Sequence, residues 1–321
     1  MDYQLLKQVS RSFYLTMRIL PKSIRNQIGT AYLLARATDT IADTDIISPQ
    51  TRIEALTQLR DNILGKSKIL PKWEDIISAQ KDSSEKVLLQ IISLVIQDKL
   101  QFEKADQEDI HTVLDIITQG QLLDINRFVV NASPNKIIPL QTEEELDDYT
   151  WRVAGCVGDF WTKICRRHLY PEAPLDEKLL FKKAISFGKG LQLVNILRDL
   201  PVDLKNGRCY LPQDSLTKLG LTPEDLTHAE NYKKLQTYYL DKLALVAKYL
   251  HEGKEYIQLT PKGFKTWLMR LGCSWPILIG LRTLELLKKE NPLDPTKRIK
   301  VPRKEVKKIL LSTTLKSLFG F

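Results

Sequence analysis

Apolar residues recur every three to four positions through most of the chain. Ile24, Ile28, Ala31, Tyr32 and Ala35 follow this spacing, as do Val87, Leu88, Ile91, Leu94 and Val95, and the period puts each set on one stripe of an α-helix. Alternation at every second residue, the mark of a half-buried strand, is scarce. The segment ends carry matching chemistry. Ser48 before Pro49 reads as an N-cap with a first-turn proline, and Thr142 with Glu145 reads as a capping box. Pro71, Pro134, Pro139, Pro171 and Pro174 mark stops. Helices are expected at about 24–44, 50–64, 84–104, 107–130, 143–168, 176–200, 230–252, 262–289 and 303–318. The fold class is therefore all-α, a large helical bundle, and the lack of self-similarity at a fixed period argues against a solenoid.

With 321 residues, 43% of them hydrophobic, the chain can bury a sizeable core. No Pro/Gly/Ser-rich linker divides it, so a single domain over 1–321 is expected. Cys156, Cys165, Cys209 and Cys273 form no C-x-x-C pair, which argues against structural zinc and a disulfide framework and fits a reducing, cytoplasmic setting. Met1 and Asp2 open a polar stretch with no signal-peptide pattern, and no apolar run reaches transmembrane length. The net charge of +9 admits nucleic acid, anionic lipid or a phosphorylated substrate. Basic residues thicken towards the end, at Lys288, Lys289, Lys297, Arg298, Lys300, Arg303, Lys304, Lys307 and Lys308, as either a solvated face or an anion-binding one. In the last helix they interleave with Val306, Ile309, Leu310, Leu311, Leu315, Leu318 and Phe319, a face that either meets a membrane surface peripherally or packs on the bundle.

Two polar interruptions carry the chemistry. Asp39 and Asp43 stand four apart in the first long helix, on one face and one turn from each other. Like charges so placed repel. Hard oxygen ligands suit Mg²⁺, which takes a few carboxylates and completes its shell with water and phosphate oxygens. A second line, Gln192, Asn195, Asp199 and Asp203, runs at helical intervals while Leu191, Leu193, Val194, Ile196 and Leu197 cover the other faces, so the line is expected to open onto an internal cavity. Pro201 falls inside it. Lacking an amide and crowding the carbonyl four residues back, it predicts that the helix bends or ends between the two aspartates. Arg198 is expected to pair with Asp199, and Arg36 to reach phosphate oxygens together with Arg11 and Arg208, because guanidinium matches phosphate geometry.

Other candidates read as structural. Gly155 and Gly158 form a close helix-packing seam, and Gly188-Lys189-Gly190 lacks the strand and third glycine of a dinucleotide loop. His111, His168, His228 and His251 have no ligand spacing.

Three ordered blocks carry a family resemblance. Ser10-Arg11-Ser12-Phe13 with Tyr32 to Asp43 resembles the opening of the squalene/phytoene synthase family. Tyr149 to Gly158, with Val153-Ala154-Gly155, is similar to its central block. Gly190 to Asp203, followed by Gly207-Arg208-Cys209-Tyr210-Leu211-Pro212, resembles its second acidic motif and the basic segment after it. The resemblance covers about 4–290 and leaves a basic C-terminal helix at about 296–321.

That resemblance implies an isoprenoid synthase fold in which the two acidic motifs face each other across a central cavity. It implies Mg²⁺ held by Asp39, Asp43, Asn195, Asp199 and Asp203. Diphosphate would be held by Ser10, Arg11, Ser12, Arg36, Gln192, Asn195 and Arg208, with Tyr149 donating to it or moving a proton. Phe13, Leu33, Val153, Ala154, Val157, Leu191 and Val194 are wall candidates for a carbocation, or ordinary core. The implied reaction joins two farnesyl diphosphates head to head through presqualene diphosphate to squalene. NADPH would supply the reduction, and Lys300 and Arg303 resemble a segment that meets its phosphates. Dehydrosqualene or phytoene synthase is the alternative, and a non-catalytic prenyl-binding assembly factor a remote one. No nucleic-acid partner is expected, and a monomer is.

Overall fold

The computed structural model describes residues 13–68, 74–130, 136–297 and 299–318. Among these, the helices are α1 (Phe13–Ile19), α2 (Lys22–Asp43), α3 (Pro49–Ile63), α4 (Glu74–Ala79), α5 (Ser83–Gln90), α6 (Ile92–Lys99) and α7 (Lys104–Ile125), then α8 (Glu143–Thr150), α9 (Cys156–Leu169), α10 (Glu177–Lys205), α11 (Gln213–Lys218), α12 (Tyr232–Leu259), α13 (Phe264–Leu287) and α14 (Arg303–Leu318). Two two-residue strands, β1 (Ile138–Pro139) and β2 (Arg208–Cys209), pair in parallel. The all-α expectation holds, and among the described residues no helix is long and apolar enough to cross a membrane.

The chain divides into two compact units, Met1–Val130 with Phe160–Glu172, and Asn131–Asp159 with Ala173–Phe321. In the first, α2 packs against α3, α5, α6 and α7, burying Ile24, Ile28, Leu34, Ala37 and Ile41, the stripe its spacing requires. Asp106, 1% exposed, accepts from Gln27 at 3.2 Å, Arg167 at 2.5 Å and His168 at 2.8 Å. A carboxylate with so many donors is satisfied in place. In the second unit, α10 packs against α12 and α13 and buries Leu193, Val194, Ile196, Leu197, Leu200 and Leu204.

Capping follows the sequence. Ser48 Oγ accepts from the Thr51 amide at 3.1 Å and Thr142 Oγ1 from the Glu145 amide at 3.3 Å. The Glu145 carboxylate accepts from the Gln141 amide, one residue ahead of the cap. The glycine seam is tighter than expected: a Cβ at Gly158 would lie 2.2 Å from the Ala184 carbonyl oxygen, and one at Gly188 the same distance from that of Ala154.

Four expectations need correction. The helix at 84–104 is two helices, because Ile91 leaves the helical region (φ −102°, ψ 10°) beside a second β-branched residue, Ile92, a poor place to continue a helix. It stops at Lys99, and the Gln107 side chain donates to the freed carbonyls of Leu100 and Phe102. The stretch 143–168 stays helical but widens into a π turn at Trp151–Gly155, and 107–130 ends in another at Asn126–Val130. Lastly, α10 does not end at Pro201; it continues to Lys205.

Candidate functional site

Asp39 and Asp43 occupy the last turns of α2, with Asp43 its final residue. Carboxylates there oppose both each other and the negative end of the helix dipole, each effect costing roughly 0.3–1 kcal/mol. Arg52, 5% exposed, offsets part of this by donating to the Ala42 carbonyl at 3.2 Å. Arg36 pairs with Asp39 and, from across the unit, with Glu85. Desolvation and the Asp43 charge together push the Asp39 carboxyl up to about 6 against the pull of Arg36. Its side chain nevertheless keeps 43% of its surface accessible, so a cation can reach it. Arg36 Nε is buried with no hydrogen-bond partner among the described residues.

The second pair sits at the end of α10 in the same manner, Asp203 being in its last turn. The polar line is accessible: Asn195 is exposed and Gln192 and Asp203 half-buried, while the Asp199 side chain is 44% exposed. Arg198 forks onto Asp199, with Nε to Oδ1 at 2.8 Å and Nη2 to Oδ2 at 2.5 Å, the local pairing expected of it. Pro201 cannot donate to the Leu197 carbonyl, and the Tyr239 hydroxyl donates to it instead at 3.0 Å.

Beyond α10 the chain turns at Gly207, whose φ of +74° is the left-handed region that a side chain disfavours. This delivers Arg208 to β2, where the Gly207 carbonyl accepts from the Ile138 amide at 2.9 Å and the Cys209 carbonyl from that of Leu140. The next residue, Tyr210, stacks on Tyr149 with ring centroids 4.6 Å apart. Within the second unit, the predicted Tyr149 and the basic segment are thus brought together. Tyr149 lies at the end of α8, which is tied to α10 by Lys189 donating to Asp147 at 2.7 Å.

Glu143, which sequence reading missed, anchors the start of α8. It accepts from Ser215 and Tyr238, each at 2.9 Å, and pairs with Lys242. Burial opposes its ionisation, but these donors outweigh it and hold the carboxyl below its usual range; burial and that carboxylate push the Tyr238 phenol far up. Glu85 was missed too, being legible in sequence merely as the acidic third residue after the Asp82 cap.

Among the described residues no three His, Cys, Asp or Glu side chains gather as a metal cage. Pairs of accessible carboxylates leave most coordination positions to water and phosphate, a donor set that fits Mg²⁺. Ser10, Arg11, Ser12 and Arg298 lie outside the described residues. Lys300, three residues ahead of α14, and Arg303, its first residue, are exposed. Of the wall candidates, Leu33 and Val194 are buried while Val157 is 39% exposed. His168 is held by Asp106 and His111 by Lys99, the structural roles expected of them.

The sequence matches the squalene/phytoene synthase family over residues 6–305. It is 30% identical over 235 residues to a squalene synthase of Saccharomyces cerevisiae, covering 71% of this chain and 49% of that protein. To a bifunctional lycopene cyclase/phytoene synthase of Podospora anserina it is 29% identical over 244 residues, covering 71% of this chain and 38% of that one. The chain thus spans between about a third and a half of the length of these relatives. The structure of TcSQS with the ligand E5700 aligns with a TM-score of 0.76 at 20% identity, over 98% of this chain and 87% of that one, which shows that the isoprenoid synthase fold is shared. The match over residues 6–305 places the chain in the squalene/phytoene synthase family, a family of prenyltransferases.

Proposed function

We propose that the protein joins two farnesyl diphosphates head to head, through presqualene diphosphate, to squalene, releasing diphosphate. The observation that carries this reading is the shared placement of both acidic pairs, each at the C-terminal end of a buried helix with accessible carboxylates. Mutual repulsion and helix dipole both disfavour that placement in the absence of a cation. Asp39 and Asp43 in the first unit, and Asn195, Asp199 and Asp203 in the second, would each hold Mg²⁺, which when bound would supply positive charge to a departing diphosphate. Arg36 and Arg208, with Ser10, Arg11, Ser12 and Gln192, orient its oxygens as the allylic C–O bond breaks. Tyr149, held against Tyr210, donates to that diphosphate or moves a proton. Lys300 and Arg303 would hold the phosphates of NADPH, which when bound would supply the hydride that ends the reaction.

The second reading ends in loss of a proton, giving dehydrosqualene, or phytoene from the longer geranylgeranyl chain. The near-equal identity to a phytoene-synthase relative favours keeping it. Incubation with farnesyl diphosphate and Mg²⁺, with and without NADPH, separates the readings. Squalene that depends on NADPH supports the first. Dehydrosqualene formed regardless of NADPH, or C40 hydrocarbon alone from geranylgeranyl diphosphate, overturns it. Absence of diphosphate release from any prenyl diphosphate would instead indicate a non-catalytic prenyl-binding assembly factor.

A further inference from the structure

An α-helix that contains proline loses one rung of its ladder, since the ring nitrogen carries no hydrogen for the carbonyl four residues back. For Pro201 that carbonyl belongs to Leu197, a residue 1% exposed and so cut off from water. A buried carbonyl without a donor is costly, and the usual outcome is a kinked or terminated helix. Here α10 runs on to Lys205.

The donor comes from elsewhere in the chain. Tyr239, on α12 and 0% exposed, donates its hydroxyl to the Leu197 carbonyl at 3.0 Å across 42 positions of sequence. Its ring is fixed by an edge contact with Tyr232, centroids 6.0 Å apart at 81°, and by the buried Leu235 and Leu243 one turn to either side. Burial pushes its phenol far up, which keeps the hydroxyl protonated and able to donate. The rung so replaced spans the first aspartate of the second pair: Leu197 precedes Asp199, and Pro201 separates it from Asp203.

We propose that Tyr239 is a positioning residue for the second acidic pair, its hydroxyl standing in for the amide that Pro201 lacks and holding α10 helical through Asp199 and Asp203. The proposal rests on the reading that this pair serves the diphosphate's cation, but its structural half stands apart from that reading. Tyr239 touches neither aspartate in this role; it acts through the backbone.

The test is a double-mutant cycle of Tyr239→Phe and Pro201→Ala, which keeps the ring and restores the amide. In metal-free protein, Tyr239→Phe is expected to speed hydrogen exchange of the amides at 202–205 by about tenfold. The same change should raise the Mg²⁺ concentration for half-maximal diphosphate release. In the Pro201→Ala background, where the restored amide donates to the Leu197 carbonyl, the Phe substitution should alter exchange by less than about twofold. Should Tyr239→Phe alone fail to fold, recovery of the fold in the double variant supports the same conclusion, and failure of the double variant to fold overturns it. Equal effects of Tyr239→Phe in both backgrounds, or unchanged exchange at 202–205, overturn the proposal. If exchange behaves as expected while no variant, nor the parent, releases diphosphate, the hydroxyl's support of the helix stands and the catalytic reading fails.

Discussion

Gly188 offers a sharp test of how the second unit holds its site together. An alanine Cβ there would lie 2.2 Å from the Ala154 carbonyl oxygen, 2.8 Å from its carbon and 3.0 Å from the Gly155 Cα. These are backbone atoms of the π turn that follows Tyr149, so no rotamer change relieves the clash. The turn and α10 must part by about 1 Å to reach ordinary contact. Overpacking of this kind costs up to about 3 kcal/mol, while glycine to alanine within a helix returns about 1 kcal/mol, leaving a net loss of about 2 kcal/mol. Gly280 in α13 is the matched control. A Cβ there meets the Leu250 Cδ1 at 3.0 Å, the end of a flexible side chain, so Gly280→Ala keeps the helical gain with little clash. Urea unfolding should show Gly188→Ala destabilised by about 2 kcal/mol and Gly280→Ala equal to the parent or up to about 1 kcal/mol more stable. Diphosphate release should also fall in Gly188→Ala, because Tyr149, two residues before the displaced turn, shifts with it. Equal stability of the two variants would refute the seam.

Lys99 makes stability depend on pH. Its ammonium is buried against the Ile63 carbonyl and His111, and burial lowers its pKa from 10.5 to about 8. The folded protein therefore releases this proton before the unfolded chain does. Below about pH 8 the full penalty applies, and as pH rises from there towards 10.5 the unfolded state binds more protons, so stability rises by about 3 kcal/mol. The difference in urea midpoint between the parent and Lys99→Met should change across that window; parallel profiles would contradict the assignment. On α14, Leu311 and Leu315 are 65% and 48% exposed, beside the exposed Lys304, Lys307, Lys308 and Lys316. Vesicles of anionic lipid should retain the protein at low salt and release it at high salt or in Leu311→Ser/Leu315→Ser, and no retention at low salt would remove membrane contact from the picture.

Local signals in the sequence were reliable where structure is decided locally. The period and charge pattern of 303–318 gave α14 as found, and the Ser48 and Thr142 caps hold their helices. The one-turn spacing of each acidic pair was legible, and each pair lies on its helix as expected. What escaped reading depends on distant partners. Glu85 reaches Arg36 over 49 positions, and Lys242 reaches Glu143 over 99. Pro201 was correctly seen as a local fault, and the helix does not end there because the remedy, the Tyr239 hydroxyl, arrives from another helix. The break at Ile91 shows the converse, an apolar period that continues where the backbone does not.

The central claim is that both acidic pairs serve the departure of diphosphate. Its most direct test is diphosphate release from farnesyl diphosphate at saturating Mg²⁺ by Asp39→Asn and by Asp199→Asn, with the urea midpoint of each measured alongside. Each substitution removes one of two repelling charges, so the midpoints should be equal to or above that of the parent. Release should fall at least about hundredfold in both. Release within about twofold of the parent in either variant would contradict the claim for that pair.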